Sequence, residues 1–139
     1  SSYRSPEIIL GFREWNEKID IWSLACLLFE CLVGEFLFEG GNETELFTSI
    51  VEVVGIPKTE YVLKCRQRTS FFDRRDRFRF ISDLDPIPLD RKLTDCHDFT
   101  YDDSVVVYRL LRPMLVYEPD LRWSADKLLT LYPSGPGDE

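Results

Sequence analysis

Residues 16–34 read NEKIDIWSLACLLFECLVG, and this apolar stretch decides the fold. Three polar side chains interrupt residues 19–33: Asp20, Ser23 and Glu30. A surface helix shows one apolar stripe, whereas a helix that is apolar all round is buried in a core or a membrane. Asn16 is a good N-cap, and Gly34 is a good C-terminal stop. Because so short a stretch with internal carboxylates is a poor membrane span, it predicts a buried central helix with the rest of a domain around it.

The spacing of apolar residues predicts four further helices, which cover residues 5–10, 42–54, 104–116 and 124–131. Pro6 suits a first helical turn, and Asn42 and Ser124 are favoured N-cap residues. Residues 56–103 are less regular and rich in Pro, Asp and Arg, which indicates mostly loop with short helices. No segment predicts a strand. The sequence therefore predicts an all-α fold.

The composition indicates an intracellular globular domain. A chain of 139 residues with 44% hydrophobic and 30% charged residues is large enough for one domain. It has neither a signal-peptide pattern nor an apolar segment long enough to span a membrane, so no membrane partner is expected. The cysteines form no C-x-x-C pair, which predicts reduced thiols rather than disulfides or a zinc site. They are Cys26, Cys31, Cys65 and Cys96.

The net charge of −8 is unevenly distributed along the chain. Residues 64–79, KCRQRTSFFDRRDRFR, carry seven basic and two acidic side chains, whereas the other residues carry ten basic and 23 acidic ones. An acidic body of this kind attracts basic partners and repels nucleic acid. The basic segment is therefore interpreted as a structural insert, with RNA binding as the alternative.

Three motifs occur in the order found in the second half of the large lobe of eukaryotic Ser/Thr protein kinases. They are YRSPEIILG (3–11), DIWSLACLLFECLVGEFLFEG (20–40) and DLRWSADKLL (120–129). The chain resembles this family from the end of the activation segment to the last helices. The resemblance implies an incomplete kinase domain over residues 1–132, with an insert at about 56–103 and a tail at 133–139.

The resemblance also implies roles for individual residues. Glu7 and Arg122 match a buried ion pair that ties the activation segment to the loop before the last helix. Asp20 matches a carboxylate that holds the catalytic loop, and Trp22 is expected to support that loop with it and to pack against the missing parts of the lobe. Arg4 matches an arginine that coordinates an activating phosphate or an acidic side chain near the substrate. A solvated arginine at a helix start is the alternative for Arg4.

Further segments resemble the kinases that phosphorylate Arg-Ser repeats in splicing factors, the SR-protein kinases. They are GEFLFE (34–39), SFFDRRDRFRFI (70–81) and RLLRPML (109–115). The acidic substrate groove of these kinases implies substrate-binding carboxylates at Glu35, Glu45 and Glu52. Glu45 and Glu52 are seven residues apart, so they share a helix face and suit alternate arginines of an extended peptide. A solvated acidic face is the alternative, and YRSPE is also similar to dual-specificity-regulated kinases.

The resemblance implies that the complete kinase uses ATP and Mg²⁺ to phosphorylate serines of Arg-Ser-rich proteins, in the cytoplasm and the nucleus. This chain has no G-x-G-x-x-G loop, V-A-I-K lysine, H-R-D or D-F-G, so no catalytic residue or metal ligand is predicted in it. The N-terminal part of the kinase domain is an expected partner. Alone, the chain is expected to be inactive and not to bind ATP. The alternative is a pseudokinase-like module that docks basic partners without catalysis.

Overall fold

The computed structural model describes residues 3–96 and 98–131, and these residues are mostly helical. Their α-helices are α1 (Pro6–Leu10), α2 (Ile19–Val33), α3 (Glu43–Val54), α4 (Thr59–Val62), α5 (Arg68–Phe71), α6 (Leu89–Thr94), α7 (Tyr101–Leu111) and α8 (Ala125–Leu129). Two 3₁₀ turns cover Ile81–Asp83 and Arg112–Met114. Isolated β-bridges join Phe12 to Cys65 and Phe72 to Phe78, but the described residues contain no strand. The predicted all-α fold is confirmed, while the predicted tail at 133–139 lies outside the described residues.

The central helix α2 begins later than the sequence predicts. Its N-cap position is Lys18, and the Asn16 side chain instead accepts a hydrogen bond from the Lys18 backbone N–H at 2.9 Å. The Ile19 N–H donates to the Asn16 carbonyl at 3.2 Å, so residues 16–19 form a turn before the helix. The predicted end is correct, because Gly34 adopts φ 85° and closes the helix there.

The α2 helix is buried on one side only among the described residues. Trp22, Ala25 and Phe29 on that side are fully buried. On the other side Leu24 and Leu27 are 40% and 47% exposed, and Leu32 is 46% exposed. The described residues therefore bury one side of α2, and burial of the other side by the rest of a domain stays a prediction.

The α3 helix has the predicted bounds and anchors the middle of the chain. Asn42 caps it by accepting a hydrogen bond from the Glu45 N–H at 2.9 Å. Phe47 is fully buried and forms edge-to-face contacts with Phe71, Phe72 and Phe78 of the predicted insert. These aromatic contacts hold the basic segment against the core.

The last two helices differ from the prediction at one start and two ends, because α8 ends at Leu129 rather than at about residue 131. The helix predicted at 104–116 is α7, which begins three residues earlier because the Thr100 side chain caps it. It ends at Leu111, since Pro113 continues only as a 3₁₀ turn. Ser124 caps α8, as predicted. Over residues 3–96 and 98–131, no helix is long and apolar enough to cross a lipid bilayer.

Candidate functional site

The Glu7 and Arg122 side chains meet in a fully buried ion pair. The two Arg122 Nη atoms donate to the Glu7 carboxylate oxygens at 2.6 and 2.9 Å, and both side chains are 0% exposed. The same guanidinium donates to the carbonyls of Lys18, Val116 and Tyr117. Removal of one partner of such a pair typically costs ~3–5 kcal/mol. The pair therefore ties α1, the start of α2 and the loop before α8 together.

Trp22 and Asp20 occupy different environments on the first turn of α2. The Trp22 ring is fully buried, stacked on Phe38 with the Arg122 guanidinium 5.3 Å from its centroid. Trp22 therefore packs within the described part of this chain, and its expected support of a catalytic loop stays a prediction. The Asp20 side chain is exposed, and no hydrogen bond joins it to another described residue. Its expected role in holding a catalytic loop stays a prediction.

An acidic groove runs along α3 and the C-terminal end of α2. It consists of two adjoining cavities of about 410 and 570 Å³, which share Glu39 and Lys92 in their linings. Among the described residues the linings contribute six carboxylates and one lysine. The carboxylates belong to Glu30, Glu35, Glu39, Glu45, Glu52 and Asp83. The groove therefore has a strong excess of negative charge over a surface large enough for several peptide side chains.

Glu45 and Glu52 line the same cavity, and each also supports the local backbone. One Glu45 oxygen accepts the Gly41 N–H at 2.7 Å, so Glu45 holds the segment just before α3, whose cap is Asn42. One Glu52 oxygen accepts the Asp85 N–H at 2.8 Å and holds the segment after the 3₁₀ turn. Each carboxylate keeps a second oxygen with no described partner. Both residues therefore combine a structural hydrogen bond with an oxygen available to a cation.

Lys92 contributes to the linings of both cavities and is the basic side chain among the described residues of the groove. Its ammonium donates to the Leu37 carbonyl at 2.7 Å and lies 5.8 Å from the centroid of the Phe29 ring. Burial lowers the pKa of Lys92, and the carboxylates of Glu39, Glu35 and Glu52 oppose that shift. The three carboxylates create a negative potential around Lys92. The same potential would attract a second cation.

Glu35 and Glu30 line the second cavity, at the end of α2. Glu35 is exposed, and Glu30 accepts a hydrogen bond from the Tyr3 hydroxyl. This hydrogen bond to a carboxylate raises the pKa of Tyr3 to about 12. The Tyr3 carbonyl in turn accepts from the Ser23 hydroxyl at 3.0 Å. The segment before α1 is thus attached to the groove by a neutral tyrosine.

Arg4 lies outside the two groove linings and is paired with an acidic side chain. Its guanidinium is 2.6 Å from a carboxylate oxygen of Glu43, on the first turn of α3. Both side chains are partly exposed, at 38% and 50%. Such a pair contributes little stability. Arg4 is therefore held at the first turn of α3 by an acidic side chain, and its expected role near a substrate stays a prediction.

The sequence does not predict four residues that line the acidic groove: Glu30, Glu39, Asp83 and Lys92. A carboxylate in a mostly apolar helix is a feature that could have indicated Glu30 as a functional residue. Asp83 and Lys92 come from the irregular region after α3, where no periodicity relates them to Glu45 or Glu52. Only the tertiary fold brings them to the groove.

A clustered metal site is absent from the part of the chain that the structure describes. No group of three or more His, Cys, Asp or Glu side chains in residues 3–96 and 98–131 is placed to hold a metal ion. The carboxylates of the acidic groove are likewise spread over two cavities rather than gathered around one point. Their arrangement suits a row of separate cationic groups.

The protein kinase domain model matches residues 1–131. Human dual specificity tyrosine-phosphorylation-regulated kinase 4 is 36% identical over 132 residues, which cover 91% of this chain and 24% of the relative. Serine/threonine-protein kinase SKY1 of Saccharomyces cerevisiae is 35% identical over 133 residues, or 91% and 18% of the two chains. Mitogen-activated protein kinase HOG1 of Scheffersomyces stipitis is 32% identical over 132 residues, or 92% and 31%.

These three relatives have similar identities to the chain although their names denote different kinds of kinase. The chain spans less than a third of the length of each of them. The family match, in contrast, extends over nearly every residue and includes both members of the buried ion pair. The chain belongs to the protein kinase domain family.

Proposed function

We propose that the protein is a Ser/Thr protein kinase that transfers the γ-phosphate of ATP to serines of basic, Arg-Ser-rich proteins such as splicing factors. In this proposal the present chain supplies the substrate groove and part of the scaffold. The observation that carries the proposal is the acidic groove, with six carboxylates and one lysine among its described lining residues. Its charge is complementary to a peptide with repeated arginines.

The geometry of α3 supports an extended, arginine-rich occupant. Glu45 and Glu52 are two helical turns apart, which places them about 10 Å apart along the axis. Arginines two or three residues apart in an extended peptide are about 7–10 Å apart. A guanidinium can bind a carboxylate through two parallel hydrogen bonds, so it pairs with carboxylates more specifically than an ammonium does. The groove therefore favours arginine over lysine at matched positions.

The test is a charge-removing double variant of the full-length protein, Glu45→Gln with Glu52→Gln. Glutamine keeps an oxygen for the Gly41 and Asp85 N–H groups, so both backbone contacts are retained. We expect the affinity for an Arg-Ser-repeat peptide, measured by fluorescence anisotropy, to fall about tenfold. The matched control is Glu17→Gln with Glu60→Gln, two exposed carboxylates outside the groove, and it should leave the affinity within about twofold. Equal losses in both double variants would contradict a specific groove.

A binding module without catalysis is the second candidate. It is supported by the acidic groove itself, whose carboxylates can bind a basic partner without a catalytic step. Incubation of the full-length protein with γ-labelled ATP, Mg²⁺ and the same peptide separates the two candidates. Transfer of label to serine supports the kinase, and binding of the peptide without transfer supports the module.

A further inference from the structure

A cavity of opposite charge lies on the basic segment, outside the acidic groove. It has a volume of about 500 Å³, and three arginines contribute to its lining: Arg68, Arg74 and Arg79. In the described part of the chain, none of the three guanidiniums forms an ion pair with a carboxylate. We call this site the arginine cavity, and neither the acidic groove nor the buried ion pair accounts for its charge.

A hydrogen-bonded turn contributes Asp73, Arg74 and Asp76 to the lining of the arginine cavity. The Asp73 carboxylate accepts hydrogen bonds from the backbone N–H of Arg75 at 2.8 Å and of Arg77 at 3.0 Å. It also pairs with the Arg77 Nε at 3.1 Å, and the Asp73 N–H donates to the Arg77 carbonyl at 2.9 Å. These hydrogen bonds, the one from the Arg77 backbone most of all, lower the pKa of Asp73. The turn is thus closed by its own aspartate.

The aromatic core fixes the two ends of this turn. Phe72 is 2% exposed and Phe78 is 3% exposed, and both rings contact Phe47 of α3. The Arg79 guanidinium donates to the Thr69 carbonyl, and the Arg79 N–H donates to the Phe71 carbonyl at 2.8 Å. The Arg79 side chain is therefore oriented before any ligand arrives, which lowers the entropy cost of binding.

The charges of the lining favour an anion. Two carboxylates contribute to the lining, but that of Asp73 is already neutralised by Arg77. Asp76, with φ 58°, is the other carboxylate, so three guanidiniums face one uncommitted carboxylate. Guanidinium groups bind phosphate oxygens bidentately, and a phosphorylated side chain carries a charge of about −1.5 to −2. We propose that the arginine cavity binds a phosphorylated serine or threonine of a protein partner.

A phosphorylated peptide fits this site better than a nucleic acid does. Outside residues 64–79 the chain carries ten basic and 23 acidic side chains, so a long polyanion would be repelled wherever it extends beyond the cavity. One phosphorylated side chain with its neighbours places its charge only where the three arginines are. The proposal does not depend on the acidic groove or on catalysis.

The experiment compares a fluorescent peptide that has one phosphoserine between uncharged residues with the same peptide that has serine, using the full-length protein. We expect the phosphorylated peptide to bind at least about tenfold more tightly. Arg68→Gln with Arg74→Gln should abolish this preference. Arg91→Gln with Arg109→Gln, two exposed arginines on α6 and α7, is the matched control and should retain it.

A second variant keeps the proposal testable if the double variant fails to fold. Asp76→Asn removes the repelling carboxylate, and asparagine tolerates the positive φ, so the phosphopeptide should bind about threefold more tightly. Equal binding of the two peptides would overturn the proposal, as would a preference that survives Arg68→Gln with Arg74→Gln. A single-stranded oligoribonucleotide that displaces the phosphopeptide at a lower phosphate concentration would also overturn it, by assigning the cavity to nucleic acid.

Discussion

Arg122 shows how one side chain can hold distant parts of this chain in register. Its guanidinium makes six hydrogen bonds, two to Glu7 and four to backbone carbonyls. Its face also covers the Trp22 ring at 5.3 Å. All the N–H groups of the guanidinium are satisfied in a site with no solvent exposure, which only arginine can achieve with its planar fork of donors.

Arg122→Lys is therefore expected to be strongly destabilising although it keeps the charge. A lysine ammonium cannot bind both Glu7 oxygens and three carbonyls at once, so buried acceptors lose their partners. We expect the free energy of unfolding, measured by urea denaturation, to fall by ~2–4 kcal/mol. Arg109→Lys, at an exposed position of α7, should change it by less than ~0.5 kcal/mol. Similar midpoints for the two variants would contradict the structural role of the pair.

At the scale of elements, the acidic groove exists because α2, α3 and α6 converge. The end of α2 contributes Glu30, α3 contributes Glu45 and Glu52, and α6 contributes Lys92. Lys92 occupies the field of three carboxylates and competes with any incoming cation. In the proposed substrate complex it weakens the attraction of the groove for arginine.

Lys92→Met should therefore tighten the binding of an Arg-Ser-repeat peptide. Methionine retains the apolar contact with Phe29 and removes the competing charge, so we expect the affinity to rise about threefold to tenfold. The measurement is fluorescence anisotropy at two salt concentrations, because added salt should reduce the gain. Lys58→Met, at an exposed position before α4, is the control. Weaker binding by Lys92→Met would show that Lys92 supports the groove rather than competes in it.

The sequence predicts those parts of the elements that follow from local rules. Asn42 and Gly55 mark the ends of α3, and the spacing of Glu45 and Glu52 predicts their common face. The start of α2 is misplaced because Asn16 bonds the N–H two residues ahead in a turn, which has the same residue preference as a helix cap. The bounds of α3 and the turn at Asn16 both follow from local sequence. Only the Asn16 sequence is compatible with two structures, a helix cap and a turn.

The rest of the groove depends on tertiary contacts that no local pattern encodes. Asp83 and Lys92 reach the groove through a region held by the Glu52 hydrogen bonds to the backbone of Asp85 and Ile87. The arginine cavity likewise requires Phe72 and Phe78 to meet Phe47, a contact between residues more than 20 positions apart. The sequence of residues 64–79 shows their positive charge, but it does not indicate that they form a cavity.

At the scale of the whole molecule, the described residues pack their hydrophobic core against one side of α2 and leave the other side exposed. The buried aromatic and aliphatic cluster extends from α1 through α3 to α8. Leu24, Leu27 and Leu32 form an exposed apolar row along α2. An exposed row of large aliphatic side chains is typical of a surface that meets further protein. In the proposed kinase, this face of α2 contacts other parts of the domain.

The core also contains buried thiols and phenols that couple its stability to alkaline pH. Burial raises the pKa of Cys26 from 9.0 to about 12, and burial raises the pKa values of Tyr61 and Tyr117 as well. Above about pH 9 the unfolded chain releases these protons while the folded chain keeps them, so stability falls as pH rises. The contribution of the protonated Cys26 thiol to the free energy of unfolding is fully present below pH 9.0. It is lost as the pH rises from 9.0 to about 12.

Cys26→Ala should therefore flatten the alkaline part of the stability profile. One thiol that ionises only in the unfolded chain contributes up to ~1.4 kcal/mol per pH unit. Urea denaturation between about pH 8 and pH 11 measures the slope, which should be lower for Cys26→Ala than for the unsubstituted protein. Cys31→Ala changes an exposed thiol of the same helix and should leave the slope unchanged. Equal slopes for Cys26→Ala and Cys31→Ala would show that the Cys26 thiol is not the group that couples folding to pH, because the two variants differ in the burial of the sulfur they remove.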